Sequence, residues 1–170
     1  MPFEFDADAE LAFRNFAGAP NAFFLDTALP DCYGLGHHSF MGARPFAVLQ
    51  SRGRKVELVT PKGKHNFDDN PFDALAKILG RFEVSGEVDA LPFTGGMVGY
   101  FAYDLGKFVE RLPCNVTDDL GFPELYVAFY RRVIACDHRT GQWYLCLTDL
   151  EGMPGLDPEA EKAKLARRLD

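Results

Sequence analysis

Four histidines, His37, His38, His65 and His138, are the side chains of this 170-residue chain best suited to acid–base or metal chemistry, and their spacing argues against both. No two stand four residues apart, as ligands on one helix face would, and no carboxylate sits beside them at a ligand spacing, so no zinc centre is expected. His37 and His38 read as a strand with one ring turned in and one out. Ser39 follows them, but no acid is positioned by the sequence to complete a nucleophile–base–acid relay, so no hydrolase triad is expected. Gly34-Leu35-Gly36 and Gly95-Gly96-Met97-Val98-Gly99 do not complete G-x-G-x-x-G, and Gly63-Lys64 lacks the Walker spacing, which disfavours nucleotide binding. For the second glycine run a bent strand packed against another sheet is the better reading, because apolar residues fill its gaps. Asp68 and Asp69 read as a solvated turn. The expected catalytic set is therefore empty, as is the metal set.

The elements that would carry such residues are set by composition and punctuation. Hydrophobic residues make up 47% of the chain, enough for one substantial core, so the expectation is a single domain over residues 1–170. The sixteen Phe against one Trp make that core mainly aromatic packing. A net charge of −7 would repel nucleic acid and anionic membranes. No apolar run approaches the length of a membrane helix and the acidic start is unlike a signal peptide, so a cytoplasmic protein is expected. Cys32, Cys114, Cys136 and Cys146 form no C-x-x-C pair. Each suits a small buried hydrophobe, with Cys136 and Cys146 facing each other across a hairpin as thiols.

Asp6 and Asp8 before Leu11, Ala12 and Phe16 predict a short helix stopped by Gly18 and packed by Leu11 and Phe16. Residues 21–28 read as a buried strand with a polar end at Asp26 and Thr27, 38–41 and 46–50 as short strands, and 55–60 as a one-sided strand. Residues 61–70 read as a polar loop. Asn70 caps a helix with Pro71 in its first position and Phe72, Leu75, Ile78 and Leu79 on one face. Residues 91–105 form a glycine-bent apolar segment, and 107–112 a helical turn or two. The segments 125–136 and 142–148 flank a turn at Asp137–Gly141 and predict an antiparallel hairpin. Residues 158–169, acids first and bases last, predict a helix with a thin apolar face. Strands outnumber helices without regular alternation, so the expected class is α+β, mainly antiparallel sheets packed as a sandwich with a few flanking helices.

One segment is far more specific than these patterns. Residues 91–113, LPFTGGMVGYFAYDLGKFVERLP, closely resemble the F-x-G-G-x-x-G-hydrophobic-hydrophobic-x-Y-D-L stretch of the anthranilate synthase and aminodeoxychorismate synthase component I family. Its structural motif falls here on Gly95, Gly96, Gly99, Tyr103 and Asp104. FFLDTA at 23–28 is similar to that family's L-L-[EDH]-S segment, HHSFMGARP at 37–45 to its R-Y-S-F-x-G-x-P segment, and PFDALAKIL to its N-P-hydrophobic helix. The likeness spans the chain from about residue 23 to about 148 and covers only the family's N-terminal region.

The resemblance implies a non-catalytic front domain, with the chorismate-binding catalytic region and its Mg2+ site in a C-terminal domain absent from these 170 residues. It implies a tryptophan-type pocket at Leu25, Asp26, Thr27, Tyr33, His37, His38, Ser39 and Phe40. There the Thr27 hydroxyl would meet the ligand's polar end, Asp26 would add a countercharge, and Leu25, Tyr33, His38 and Phe40 would wall the indole. The implied partners are the chain's own C-terminal domain, a glutamine amidotransferase subunit and tryptophan, with no cofactor in this domain. Asp26 in place of glutamate and the context at 102–107 favour the para-aminobenzoate (folate) branch. The alternatives are an anthranilate synthase feedback domain and a stand-alone module binding an aromatic amino acid.

Overall fold

A computed structural model describes residues 1–27, 36–82, 91–111, 118–151 and 153–169. In chain order its strands are β1 (Pro2–Phe3), β2 (Phe23–Leu25), β3 (His38–Gly42), β4 (Ala47–Arg52), β5 (Lys55–Thr60), β6 (Gly63–Asp68), β7 (Gly96–Phe101), β8 (Leu125–Tyr130), β9 (Arg132–Asp137) and β10 (Gln142–Leu147). The helices are α1 (Ala9–Arg14), α2 (Pro71–Leu79) and α3 (Pro158–Leu169), with a 3-10 helix at Tyr103–Phe108. The strands form two antiparallel five-stranded sheets, ordered β1-β10-β9-β3-β2 and β6-β5-β4-β8-β7, so the class is the α+β, mainly antiparallel one expected. The described residues group into two compact units, one within 1–45, 91–96 and 130–169 and the other within 46–82 and 97–129.

In the first unit Asp8 is extended, and its side chain accepts the Leu11 amide at 2.7 Å, which starts α1. Leu11, expected to pack, is 51% exposed; Ala9, Ala12 and Phe16 form the buried stripe instead. That stripe repeats at i, i+3 and i+7, so a one-residue rotation of the expected face puts Leu11 in water. α1 and α3 cover one face of the sheet, where Ala9, Ala12, Phe16 and Leu165 pack on Met41, Ile134, Cys136, Trp143 and Leu145. The Trp143 ring is met edge-on by Phe5 at 5.4 Å between centroids. β9 is buried from Val133 through Asp137, as a strand covered on both faces must be.

In the second unit, alternate residues of three strands, Ala47 and Leu49, Val56, and Leu125, Val127 and Phe129, pack against Ala74, Leu75 and Ile78 of α2. α2 begins where the sequence indicates, with the Phe72 amide donating to Asn70 Oδ1 at 2.9 Å and Pro71 in the first position. Leu79 lies at the end of its stripe and is 42% exposed.

Two segments differ from expectation. Residues 63–68, taken as loop, form β6, an edge strand paired with β5 from Lys55↔Asp68 to Thr60↔Gly63. All six of its residues are exposed, so no hydrophobic alternation marks it, and polar edges are how sheets avoid pairing with other chains. The long strand read over 125–136 is two strands: β8 ends at Tyr130 in one sheet and β9 begins at Arg132 in the other. Arg131 marks the break. Its buried guanidinium donates to the Thr148 and Pro154 carbonyls at 2.9 Å each and to Asp149 Oδ1 at 3.1 Å. These bonds satisfy a cation held out of water.

The hairpin predicted around Asp137–Gly141 is present as β9 and β10, with Gly141 at φ 69°. Its register corrects the cysteine expectation: Cys136 stands opposite Trp143 and Cys146 opposite Val133, so the two do not face each other. Both are free and buried.

Candidate ligand-binding site

The expected ligand residues fall on β2, β3 and the segments that border them, all within the first unit. Antiparallel pairing puts Leu25 opposite Phe40, and β3 pairs on its other side with β9, with His38 opposite Asp137 and Ser39 opposite Cys136. Because the chain leaves β2 polar at Asp26 and Thr27, those side chains arrive beside the start of β3. The Ser39 hydroxyl, fully buried, donates to Asp26 Oδ1 at 2.6 Å. It accepts the Thr27 amide at 3.1 Å, and Thr27 Oγ1 donates to the His38 carbonyl at 2.8 Å.

A fourth group joins from far along the chain. His138 Nε2 lies 2.7 Å from Ser39 Oγ. Serine has one proton, and it is directed at Asp26, so the imidazole must donate from Nε2. Its Nδ1 lies 4.0 Å from Cys136 Sγ. The hydroxyl thus makes one donated and two accepted bonds, its full capacity.

The acid that the sequence did not position is therefore present, yet the arrangement is not a catalytic relay. In a serine nucleophile the histidine takes the hydroxyl proton and the acid orients the histidine. Here the carboxylate holds the serine, the serine stands in the middle, and it is shielded from solvent. The cluster is a positioning network.

Its neighbours are shaped to match. Burial pushes the Asp137 carboxyl up, but the Arg139 amide, the Thr140 hydroxyl and the charges of His38 and Arg139 together hold it below the usual carboxylate range. Burial raises the Cys136 thiol to about 11, helped by the negative charges of Asp137 and Asp26. Burial likewise raises Cys146. Neither is therefore a reactive thiolate at neutral pH. We expect iodoacetamide at pH 8 to leave both unmodified in the native protein and to modify both in 6 M guanidinium, read by mass spectrometry of the two peptides; native labelling of Cys136 would contradict the burial.

The remaining expected residues divide. Phe40 is buried, 6.0 Å from the His38 ring and edge-on to Phe93 at 5.7 Å. Leu25 is 47% exposed. His37 is half-buried, and its Nδ1 is buried without a hydrogen-bond partner among the described residues. Tyr33 lies outside the described residues. Of the glycine motif, Gly96 adopts φ 128°, and Gly99 lies against the β8 backbone. Tyr103 is 86% exposed, and Asp104 is also exposed, both opening the 3-10 helix. The residue that sequence reasoning missed is His138, read only as part of a turn. It is 99 residues from Ser39, and only the β3–β9 register brings it there.

Among the described residues no group of three His, Cys, Asp or Glu could hold a metal ion, and no helix is long and apolar enough to cross a membrane. The fold and site together define an antiparallel α+β unit with a polar network centred on the buried Ser39 hydroxyl.

Known proteins sharpen that class. No protein-family model matches the chain. It is 32% identical over 141 residues to the anthranilate synthase component 1 of Mycolicibacterium smegmatis, covering 79% of this chain and 26% of that protein. It is 27% identical over 132 residues to the aminodeoxychorismate synthase component 1 of Escherichia coli, covering 77% of this chain and 29% of that one. The crystal structure of anthranilate synthase component I from Streptococcus pneumoniae shares the fold, with a TM-score of 0.63 at 20% identity over 83% of this chain and 30% of that one. The chain belongs to the anthranilate synthase and aminodeoxychorismate synthase component I family. It spans between 15% and 30% of the length of the curated relatives it matches.

Proposed function

We propose that this chain is the front, non-catalytic domain of an aminodeoxychorismate synthase component I and that it holds an aromatic amino acid, tryptophan, beside the Asp26–Ser39 network. The complete enzyme would aminate chorismate on the way to para-aminobenzoate. Its catalytic region and Mg2+ would lie in a C-terminal domain, and ammonia would come from a glutamine amidotransferase subunit.

The observation that carries the ligand reading is a polar cluster built around the buried Ser39 hydroxyl, with Asp26 open to solvent and one nitrogen left over. Asp26, Thr27 and Ser39 converge where the resemblance puts the amino acid's polar end, and His37, two residues before Ser39, has a buried Nδ1 with no hydrogen-bond partner among the described residues. Buried polar atoms are nearly always bonded, so an orphan next to a charged network points to a group that binds there. Asp26 would supply the countercharge to an ammonium. His38, Phe40, Leu25 and Tyr33 would meet the ring, as aromatic and apolar walls do in pockets fixed by a few polar groups.

L-Tryptophan should raise the melting temperature of the chain in a concentration-dependent way, since a ligand at about 100 times its Kd adds about 2.7 kcal/mol to the native state. No shift at 5 mM would remove the tryptophan reading. The higher identity to the mycobacterial anthranilate synthase favours a second reading, a tryptophan feedback domain of that enzyme. The product that the full-length protein forms from chorismate, aminodeoxychorismate or anthranilate, separates the two.

A further inference from the structure

A cavity of about 390 Å³ lies in the first unit between α3 and the sheet face it covers. It is distinct from the Asp26–Ser39 network, none of whose residues lines it. Its floor is apolar, built from Phe16, Met41, Ile134, Leu145 and Leu165, all of them in the buried core. Its rim carries four cations, Arg44, Arg132, Lys164 and Arg168, against one carboxylate, Glu161. The rim is thus net positive in a chain whose net charge is −7.

Glu161 does not cancel the whole rim. Arg132 grips it with Nε at 2.7 Å and a terminal nitrogen at 3.1 Å, and Lys164 adds a bond at 2.8 Å. The Arg132 bond, with burial opposing it, is the first reason that its carboxyl stays below the usual range. Arg168 is held by a bond from Nε to the Asn15 carbonyl at 3.0 Å and lies 4.7 Å above the Phe16 ring, which aims its terminal nitrogens without using them. Arg44 has no ion pair or side-chain hydrogen bond among the described residues. Two guanidinium groups thus face a concave apolar surface with donors to spare, and guanidinium is the side chain whose planar fork matches a carboxylate.

We propose that this cavity is a binding site for a small ring-bearing carboxylate, its ring against the accessible edges of Phe16, Ile134, Leu145 and Leu165 and its anionic groups on Arg44 and Arg168. The volume falls in the range of sites for single-ring ligands, which combine an apolar lining with a few charged groups.

Benzene-1,3-dicarboxylate serves as the probe, titrated into the 15N-labelled chain and followed by amide shifts. The expected result is saturable binding, with the shifts on β9, β10 and α3 rather than on residues 25–40. Arg44→Asn should weaken it about tenfold, the worth of one charge-assisted hydrogen bond. Asn also tolerates the positive φ of 55° at this position, so the fold should be kept. Inorganic phosphate and neutral benzene-1,3-dimethanol should each bind at least about tenfold more weakly, because each lacks either the ring or the charge. The proposal is overturned by any of three outcomes: no saturable shifts up to 20 mM, phosphate binding as tightly as the dicarboxylate, or unchanged affinity in an Arg44→Asn protein that melts like wild type.

Discussion

Gly99→Ala is expected to destabilise the protein by about 3 kcal/mol or more, at the upper end of what overpacking costs. Gly99 lies in β7 against β8, and a Cβ added there would overlap the Tyr126 carbonyl oxygen. It would also stand 2.7 Å from Val127 Cα and 2.8 Å from the Tyr126 carbonyl carbon. These atoms are all backbone, so no side chain can rotate to make room, and the strands themselves must part. β8 cannot yield cheaply, because Leu125 and Val127 are essentially sealed in the core against α2. Two other glycines provide the scale. At Gly95 the nearest atom is the Thr148 hydroxyl at 2.5 Å, a side chain that can turn away, so Gly95→Ala should cost less. At Gly18 nothing lies within 4 Å, and Gly18→Ala should be neutral or stabilising by up to about 1 kcal/mol through the unfolded chain. Urea unfolding followed by circular dichroism ranks the three, and a Gly99→Ala variant as stable as Gly18→Ala would mean that β7 does not approach β8 so closely.

That ranking also explains what the glycine run is for. Read as sequence, Gly95, Gly96 and Gly99 indicated only a bent strand with close approaches; the geometry assigns each a separate reason. Gly99 is small because backbone is adjacent, Gly96 because its φ is positive, and Gly95 because Thr148 is near.

Where local chemistry determines an element, the sequence was legible. α2 announces itself through Asn70 and Pro71, α3 through acids before bases, and the β9–β10 hairpin through Gly141, because cap, dipole and turn preferences act within a few residues. β6 was invisible because its partner β5 supplies the pairing while its own side chains all face water. The division of 125–136 at Arg131 was hidden for the opposite reason. Apolar runs continue on both sides of it, Leu125–Tyr130 and Val133–Cys136, and the break is held by carbonyls and an acid 17 to 23 residues downstream. The candidate site divides in the same way. Resemblance pointed to Asp26, Thr27 and Ser39, but nothing local to Ser39 indicates His138, whose position depends on the β3–β9 register.

Ser39 is the residue on which this long-range part depends, and Ser39→Ala should cost about 1 to 3 kcal/mol. The substitution is nearly isosteric, so lost packing contributes little. What it removes is the shared partner of three groups: Asp26 Oδ1 loses a donor, and the Thr27 amide and His138 Nε2 lose an acceptor. A buried group left unmet costs about 1 to 3 kcal/mol; the exposed Asp26 carboxylate can turn to water, and the half-buried Thr27 amide and His138 ring recover part of their loss. Thr27→Val removes only the bond to the His38 carbonyl and should cost about 1 kcal/mol, which separates the network from a generic polar-to-apolar change. The decisive measurement is a double-mutant cycle with His138→Ala. If the imidazole donates to Ser39 as the hydrogen-bond accounting requires, removing it first lessens what Ser39→Ala then costs, giving a coupling of about 1 kcal/mol or more. Additive losses in urea unfolding would show that His138 and Ser39 do not share a proton, and the network would shrink to Asp26, Thr27 and the serine between them.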